Sequence, residues 1–208
     1  MSSAQDQVAR RATNTREMLL LSAGKLFQEV GYVQASIHRI AAAVNAPKGT
    51  FYSYFRSKEE LASILVDRQF AAIHQSLSLA PGDSACDQLK LHFHFLAMKP
   101  PMTAIAPLQM LATFAAEAPA IPPDIRQRIA DGTNVWDKQL GELISIAHTE
   151  SGTSTVQGSQ ELASLLITCW YGAIIRRKSN PSFNLVDDFV PSALALLTLG
   201  KPKQGNQA

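Results

Sequence analysis

The chain has 208 residues, 46% of them hydrophobic and 17% charged, which is enough apolar side chain for one large domain or two small ones. No apolar run approaches the roughly 20 residues of a membrane span, the polar first stretch lacks the apolar segment of a signal peptide, and two cysteines make no disulfide framework, so a cytoplasmic protein is expected. The net charge of +2 conceals an asymmetry: residues 1–58 hold eight Lys/Arg against three Asp/Glu, and residues 59–208 hold eleven against fourteen. The basic head suits a polyanionic partner and the acidic body does not.

Residues 1–14 are small and polar without periodicity and read as a flexible arm containing Arg10 and Arg11. A first helix is expected from Thr15, a capping hydroxyl, with Leu19, Ala23, Leu26, Phe27 and Val30 inward and Gly31 at its end. Ser36 caps a second helix in which Ile37, Ile40, Ala41 and Val44 form one apolar stripe. Asn45 tolerates the left-handed turn that follows, and Pro47 fits the first position of a third helix. Phe51 and Phe55 point inward from that helix, leaving Lys48, Gly49, Thr50, Tyr52, Ser53 and Tyr54 outside. Two short helices across a tight turn, the second rich in donors and free of acids, have the form needed to enter a DNA major groove.

Ser57 caps a long fourth helix running to about residue 79, with Glu59 and Glu60 favourably placed in its first turn and Lys58 unfavourably so. A nearby phosphate would relieve Lys58. The alternative is an exposed lysine at a small cost. Pro81-Gly82 breaks this helix, and helices over 84–98 and 102–116 follow, the latter with a possible kink at Pro107. Pro119, Pro122 and Pro123 form a connector to a helix over 124–148. The Ser/Thr/Gly-rich 150–158 reads as a mobile loop. An eighth helix covers 159–178, and a ninth covers 186–199 and either kinks at Pro191 or begins a turn later. The tail 201–208 is polar, and the whole reads as all-α, about nine helices.

Ile40-Ala41, Val44, the run from Pro47 to Phe55, and Ser57-Lys58-Glu59-Glu60-Leu61 together resemble the DNA-binding motif of the TetR family of bacterial transcriptional regulators. Ala23, Phe27, Gly31 and Tyr32 also fit, so the likeness is strong over residues 15–65 and weak over most of the remainder. Trp170-Tyr171-Gly172-Ala173 followed by Arg176, Arg177 and Lys178 is similar to a branch of the family with an aromatic-Gly-Ala segment and a basic end on its penultimate helix. Ser36 stands where Thr is commoner, and Pro47 where Ser is often found, which removes any phosphate contact from that side chain.

The resemblance implies a helix-turn-helix head at 15–57 and an effector-binding and dimerisation body at 58–200. Ser36, Tyr52, Tyr54 and Lys58, with backbone N–H groups near Gly49, are the expected phosphate contacts. Lys48, Thr50 and Ser53 are the expected base contacts, and Arg39 suits either. Arg10 and Arg11 either reach the adjacent minor groove or remain a solvated tail. Tyr52 and Tyr54 cannot face the same way on one turn, so one of them is expected to be half core.

In the body, Phe93, Met98, Met102, Met110, Phe114, Trp136 and Trp170 are candidates for an effector pocket, although apolar residues at helical spacing also serve as core. Five of them, Phe93, Met110, Phe114, Trp136 and Trp170, are taken forward as ligand contacts, which points to an apolar or aromatic effector. Leu162, Leu165, Cys169, Gly172 and Ala173 of the eighth helix, and Phe189, Leu194 and Leu197 of the ninth, are candidates for a four-helix dimer bundle, which the resemblance implies. His92 and His94 lie about 200° apart on a helix and cannot hold one metal ion together. Cys86 and Cys169 are either inert or thiol sensors. No phosphate loop, nucleophile elbow or useful metal-ligand spacing appears, so neither cofactor nor enzyme chemistry is expected. The function expected is a regulator, most simply a repressor, that binds a palindromic duplex operator as a homodimer and releases it on binding effector. A DNA-binding or architectural protein without an effector is the alternative, and an enzyme is the remoter one.

Overall fold

The structure is a computed structural model describing residues 2–98, 108–152 and 158–198, without the side chains of 2–13 and 198. Every regular element among the described residues is helical: α1 Ser2–Gln34, α2 Ile37–Ala42, α3 Lys48–Tyr52, α4 Lys58–Ser76, α5 Ala85–Ala97, α6 Gln109–Ala116, α7 Pro123–Ser151, α8 Ser159–Ser179 and α9 Val190–Thr198. A 3₁₀ turn, Ala118–Ala120, precedes α7, and a π turn, Leu185–Phe189, precedes α9.

Local chemistry sets most boundaries. Ser84 Oγ accepts from Asp87 N–H at the start of α5, and Ser57 Oγ accepts from Glu60 N–H at 3.2 Å at the start of α4. Pro191 sits in the first turn of α9, where its missing N–H costs nothing, so the helix begins at Val190, a turn later than residue 186.

Two expectations change. The helix of α1 begins at Ser2 instead of Thr15, which puts Arg10 and Arg11 within the helical span but among the residues whose side chains are not described. Helix α7 continues through Glu150 to Ser151, since Ser, Thr and Glu do not stop a helix unaided, and Gly152 with φ 61° marks its end. Residues 153–157 of the expected loop, and 99–107 with Met102 and Pro107, lie outside the described residues.

The chain divides into two compact units, Met1–Gln69 with Lys99–Ala130, and Phe70–Met98 with Asp131–Ala208. In the first, Leu19, Leu20, Ala23, Phe27, Ile40, Phe51, Phe55, Leu61, Leu65, Leu111 and Phe114 are buried. Phe27 and Tyr32 of α1 meet Phe114 of α6 with ring centroids 5.2 and 5.6 Å away. In the second, Trp136 of α7 packs edge-on against Trp170 of α8 at 5.3 Å.

Candidate nucleic-acid interface

Helix α2 is pinned at both ends. Ser36 Oγ accepts from Arg39 N–H at 3.3 Å, while Ile40 and Ala41 bury against the first unit's core. At the far end Asn45 takes φ 54°, Asn45 N–H donates to Ala42 O at 3.0 Å, and Ala46 N–H donates to Ala41 O at 3.0 Å. That pair of bonds is a Schellman closure, which satisfies two carbonyls and turns the chain sharply.

Pro47 follows at φ −61° and ψ 151°, extended, so it precedes α3 instead of occupying its first position, and Lys48 starts the helix. Phe51 and Phe55 are buried, with centroids 5.4 Å apart, and they anchor α3 from beneath. Lys48, Gly49, Tyr52 and Ser53 are exposed, Thr50 and Tyr54 half-buried. The two tyrosines therefore divide as their spacing requires.

Gly49 has nothing within 4 Å of the position a Cβ would take. Ser53 Oγ donates to Gly49 O at 3.4 Å, and Lys48 Nζ lies 6.0 Å from the centroid of the Tyr52 ring. Arg39 directs its guanidinium at Gln34 O, 3.1 Å away.

Lys58 is neither fully exposed nor unpartnered. Its Nζ donates to Tyr32 O at 2.9 Å and lies 4.0 Å from the Tyr32 ring centroid. Burial pulls its pKa below the usual lysine range, and the Glu59 and Glu117 carboxylates oppose that. Tyr32 is the centre of this cluster. Its hydroxyl donates to Glu59 Oε1 at 3.0 Å, and its backbone N–H donates to Glu117 Oε2 at 2.8 Å. Burial, then the bond to Glu59, raises the Tyr32 phenol, and hydrogen bonds lower Glu59, first from its own backbone N–H and then from Ser57.

Ser36, Ile37, His38, Lys48, Ser57, Lys58 and Glu59 line one cleft of about 380 Å³. His38, Tyr32 and Glu117 were not among the expected site residues. His38 is signalled only by its place opposite Ile40 on α2. Nothing local pairs Tyr32 with Glu117, which is 85 residues further along the chain.

The family of bacterial regulatory proteins, tetR family, matches residues 19–63, the stretch that builds this cleft. Over those residues the chain is similar to the TetR family. It is 26% identical over 180 residues to the HTH-type transcriptional repressor DhaR of Mycobacterium sp. (strain GP1), covering 86% of this chain and 89% of the relative. It is 37% identical over 65 residues to the HTH-type transcriptional repressor NemR of Escherichia coli K12, covering 31% and 33% of the two chains. A TetR family transcriptional regulator from Agrobacterium tumefaciens has the same fold, with a TM-score of 0.76 at 15% identity over 92% of this chain and all of the other. The matched relatives are transcriptional regulators, which supports a DNA-binding regulator.

The five expected ligand contacts do not fall in one unit. Met110 and Phe114 are buried in the first, and Phe93, Trp136 and Trp170 in the second. Trp136 Nε1–H donates to His92 Nε2 at 3.2 Å, so the imidazole proton sits on Nδ1, 2.7 Å from Ser76 Oγ, which itself donates to Ile73 O at 2.6 Å. His92 is wholly buried, while exposed His94 turns Nδ1 to Lys90 O.

The expected dimer face of the eighth helix also divides. Leu162 and Ala173, with Phe189 of the π turn, are buried in the second unit's core. Leu165, Cys169 and Gly172 are exposed, and Leu194 and Leu197 half-buried. The reason is angular: residues 162, 166 and 173 lie on one side of an apolar helix, and 165, 169 and 172 on the next. Cys86 is half-buried, its thiol 3.8 Å from Ala147 O. Among the described residues no group of three His, Cys, Asp or Glu is placed to hold a metal, and no helix is long and apolar enough to cross a membrane.

Proposed function

We propose that the chain is a ligand-responsive repressor whose homodimer binds a palindromic operator and releases it when a small, mostly apolar or aromatic effector enters the body. One observation carries the reading: α3 is anchored by buried Phe51 and Phe55 and turns Lys48, Gly49, Tyr52 and Ser53 to solvent with no acid among them. Lys48, Thr50 and Ser53 meet base edges in the major groove. Ser36, Tyr52, Tyr54 and Lys58, with the Gly49 backbone and Arg39, meet phosphates, and Arg10 and Arg11 lie near the adjacent minor groove. Lys58 exchanges its Tyr32 carbonyl for a phosphate.

Residues 15–57 serve as the head and 58–200 as the effector and dimerisation body. The exposed stripe Leu165, Cys169, Gly172 and Ile175 on α8 supports a dimer, because Gly172 has nothing within 4 Å and leaves a second helix room to approach. Two heads then meet half-sites about one duplex turn apart. The similar proteins DhaR and NemR are both repressors, which supports the sign of regulation. Effector acts only through different affinities for the two head spacings.

The test is selection of a duplex from a random-sequence pool, followed by sedimentation of the complex. Two protomers on one palindrome are expected. A monomer with no preferred duplex at low salt refutes the reading, and a compound that binds the body without altering duplex affinity refutes the coupling.

A further inference from the structure

His38 shares the cleft at the α2–α3–α4 junction with two ammonium groups and two serine hydroxyls, Lys48, Lys58, Ser36 and Ser57. Its ring is exposed, on the opposite side of α2 from buried Ile40. None of the hydrogen bonds that hold α2 in place involves its side chain, since the cap is Ser36 and the closure is backbone to backbone. The charged groups facing the cleft are Lys48 from α3 and Lys58 and Glu59 from α4. Beside them on α2, Arg39 is turned to Gln34 O. Lys58 is held at the Tyr32 carbonyl and Glu59 at the Tyr32 hydroxyl.

We infer that His38 is a phosphate contact whose protonation tunes DNA binding, so that operator affinity rises as pH falls through the neutral range. The inference rests on the reading of α3 as the groove-entering helix. Imidazole is the side chain that changes charge between about pH 5 and 8. A phosphate seated among Lys48, Lys58 and His38 favours the protonated ring, because an opposite charge a few ångströms away stabilises it. Binding therefore takes up a proton at each His38, and by linkage acid strengthens binding. Serine and lysine contacts supply affinity at every pH, and His38 adds one ion pair per head only when charged.

The experiment measures binding of the duplex selected by wild-type protein, by fluorescence anisotropy, at about pH 8 and pH 6 and across about 50–200 mM salt. Wild type is expected to bind roughly fivefold tighter per head at the lower pH, the worth of one exposed ion pair. Its slope of log affinity against log salt is expected to steepen by about 0.9 for each His38. His38→Gln, at an exposed position that anchors nothing, keeps the weaker affinity and shallower slope at both pH values. His38→Arg keeps the tighter affinity and the steeper slope at both. An equal pH response in wild type and His38→Gln overturns the inference, as does a wild-type affinity indifferent to pH. Failure of wild type to bind any duplex at either pH overturns instead the DNA-binding reading beneath it.

Discussion

Helix α1 loses helical geometry at Gly31, and replacing Gly31 with alanine tests whether Glu117, just past the end of α6, holds that break. Gly31 has φ 82° and ψ 173°, a region that glycine alone occupies without strain, and the cost for alanine is about 1–3 kcal/mol. The added Cβ would sit 1.7 Å from Glu117 Oε1, so the carboxylate must leave. Its departure breaks the bond from Tyr32 N–H to Glu117 Oε2, 2.8 Å long, which contributes about 1 kcal/mol after allowance for partial exposure. Together these predict a loss of about 3 kcal/mol, or a fall of about 6–12 °C in Tm for a chain of this size. Urea unfolding followed by circular dichroism measures it. In a Glu117→Ala background the clash is gone, and Gly31→Ala should cost about 1 kcal/mol less than in wild type. A loss below about 0.5 kcal/mol for the single variant, or strict additivity in the cycle, refutes the argument.

In the second unit, a Cβ on Gly132 would meet the Phe70 ring at 2.4 Å, and Gly132→Ala should destabilise by about 1–3 kcal/mol through overpacking, read from the urea midpoint. Gly49→Ala, with open space at that position, should gain about 0.5–1 kcal/mol of stability yet weaken duplex binding, both measurable on one preparation. Burial pushes His92 down to about 3 from the ordinary 6.5. The unfolded chain therefore binds the proton between those values and the folded one does not, so stability is complete above about pH 6.5 and declines towards pH 3 by up to about 1.4 kcal/mol per pH unit. His92→Gln, whose amide oxygen can still accept from Trp136, should show a smaller loss between pH 7 and pH 5 than wild type, and an equal loss would count against a buried neutral imidazole.

What the sequence by itself determined is what neighbours along the chain decide. Ser36, Ser57 and Ser84 cap their helices because the donors they satisfy lie within three residues. Asn45 takes the left-handed turn because its own backbone tolerates it, and Phe51 and Phe55 bury together because they are four apart on one face. The helix-turn-helix was legible on those grounds. Gly31 was legible as a helix end, but the carboxylate that fills its missing Cβ comes from Glu117, far along the chain.

Lys58 looked like a lone cation at a helix start, and only the tertiary structure supplies the Tyr32 carbonyl and ring that receive it. Helix α8 is apolar on several sides, so its pattern cannot say that Leu162 and Ala173 turn inward while Leu165 and Gly172 remain outside. The five expected ligand contacts are all buried, as their chemistry requires, yet they belong to two different units. Local bonds are specified by spacing. Which of several apolar faces is buried, and which distant charge meets a given backbone group, is fixed only when the helices pack.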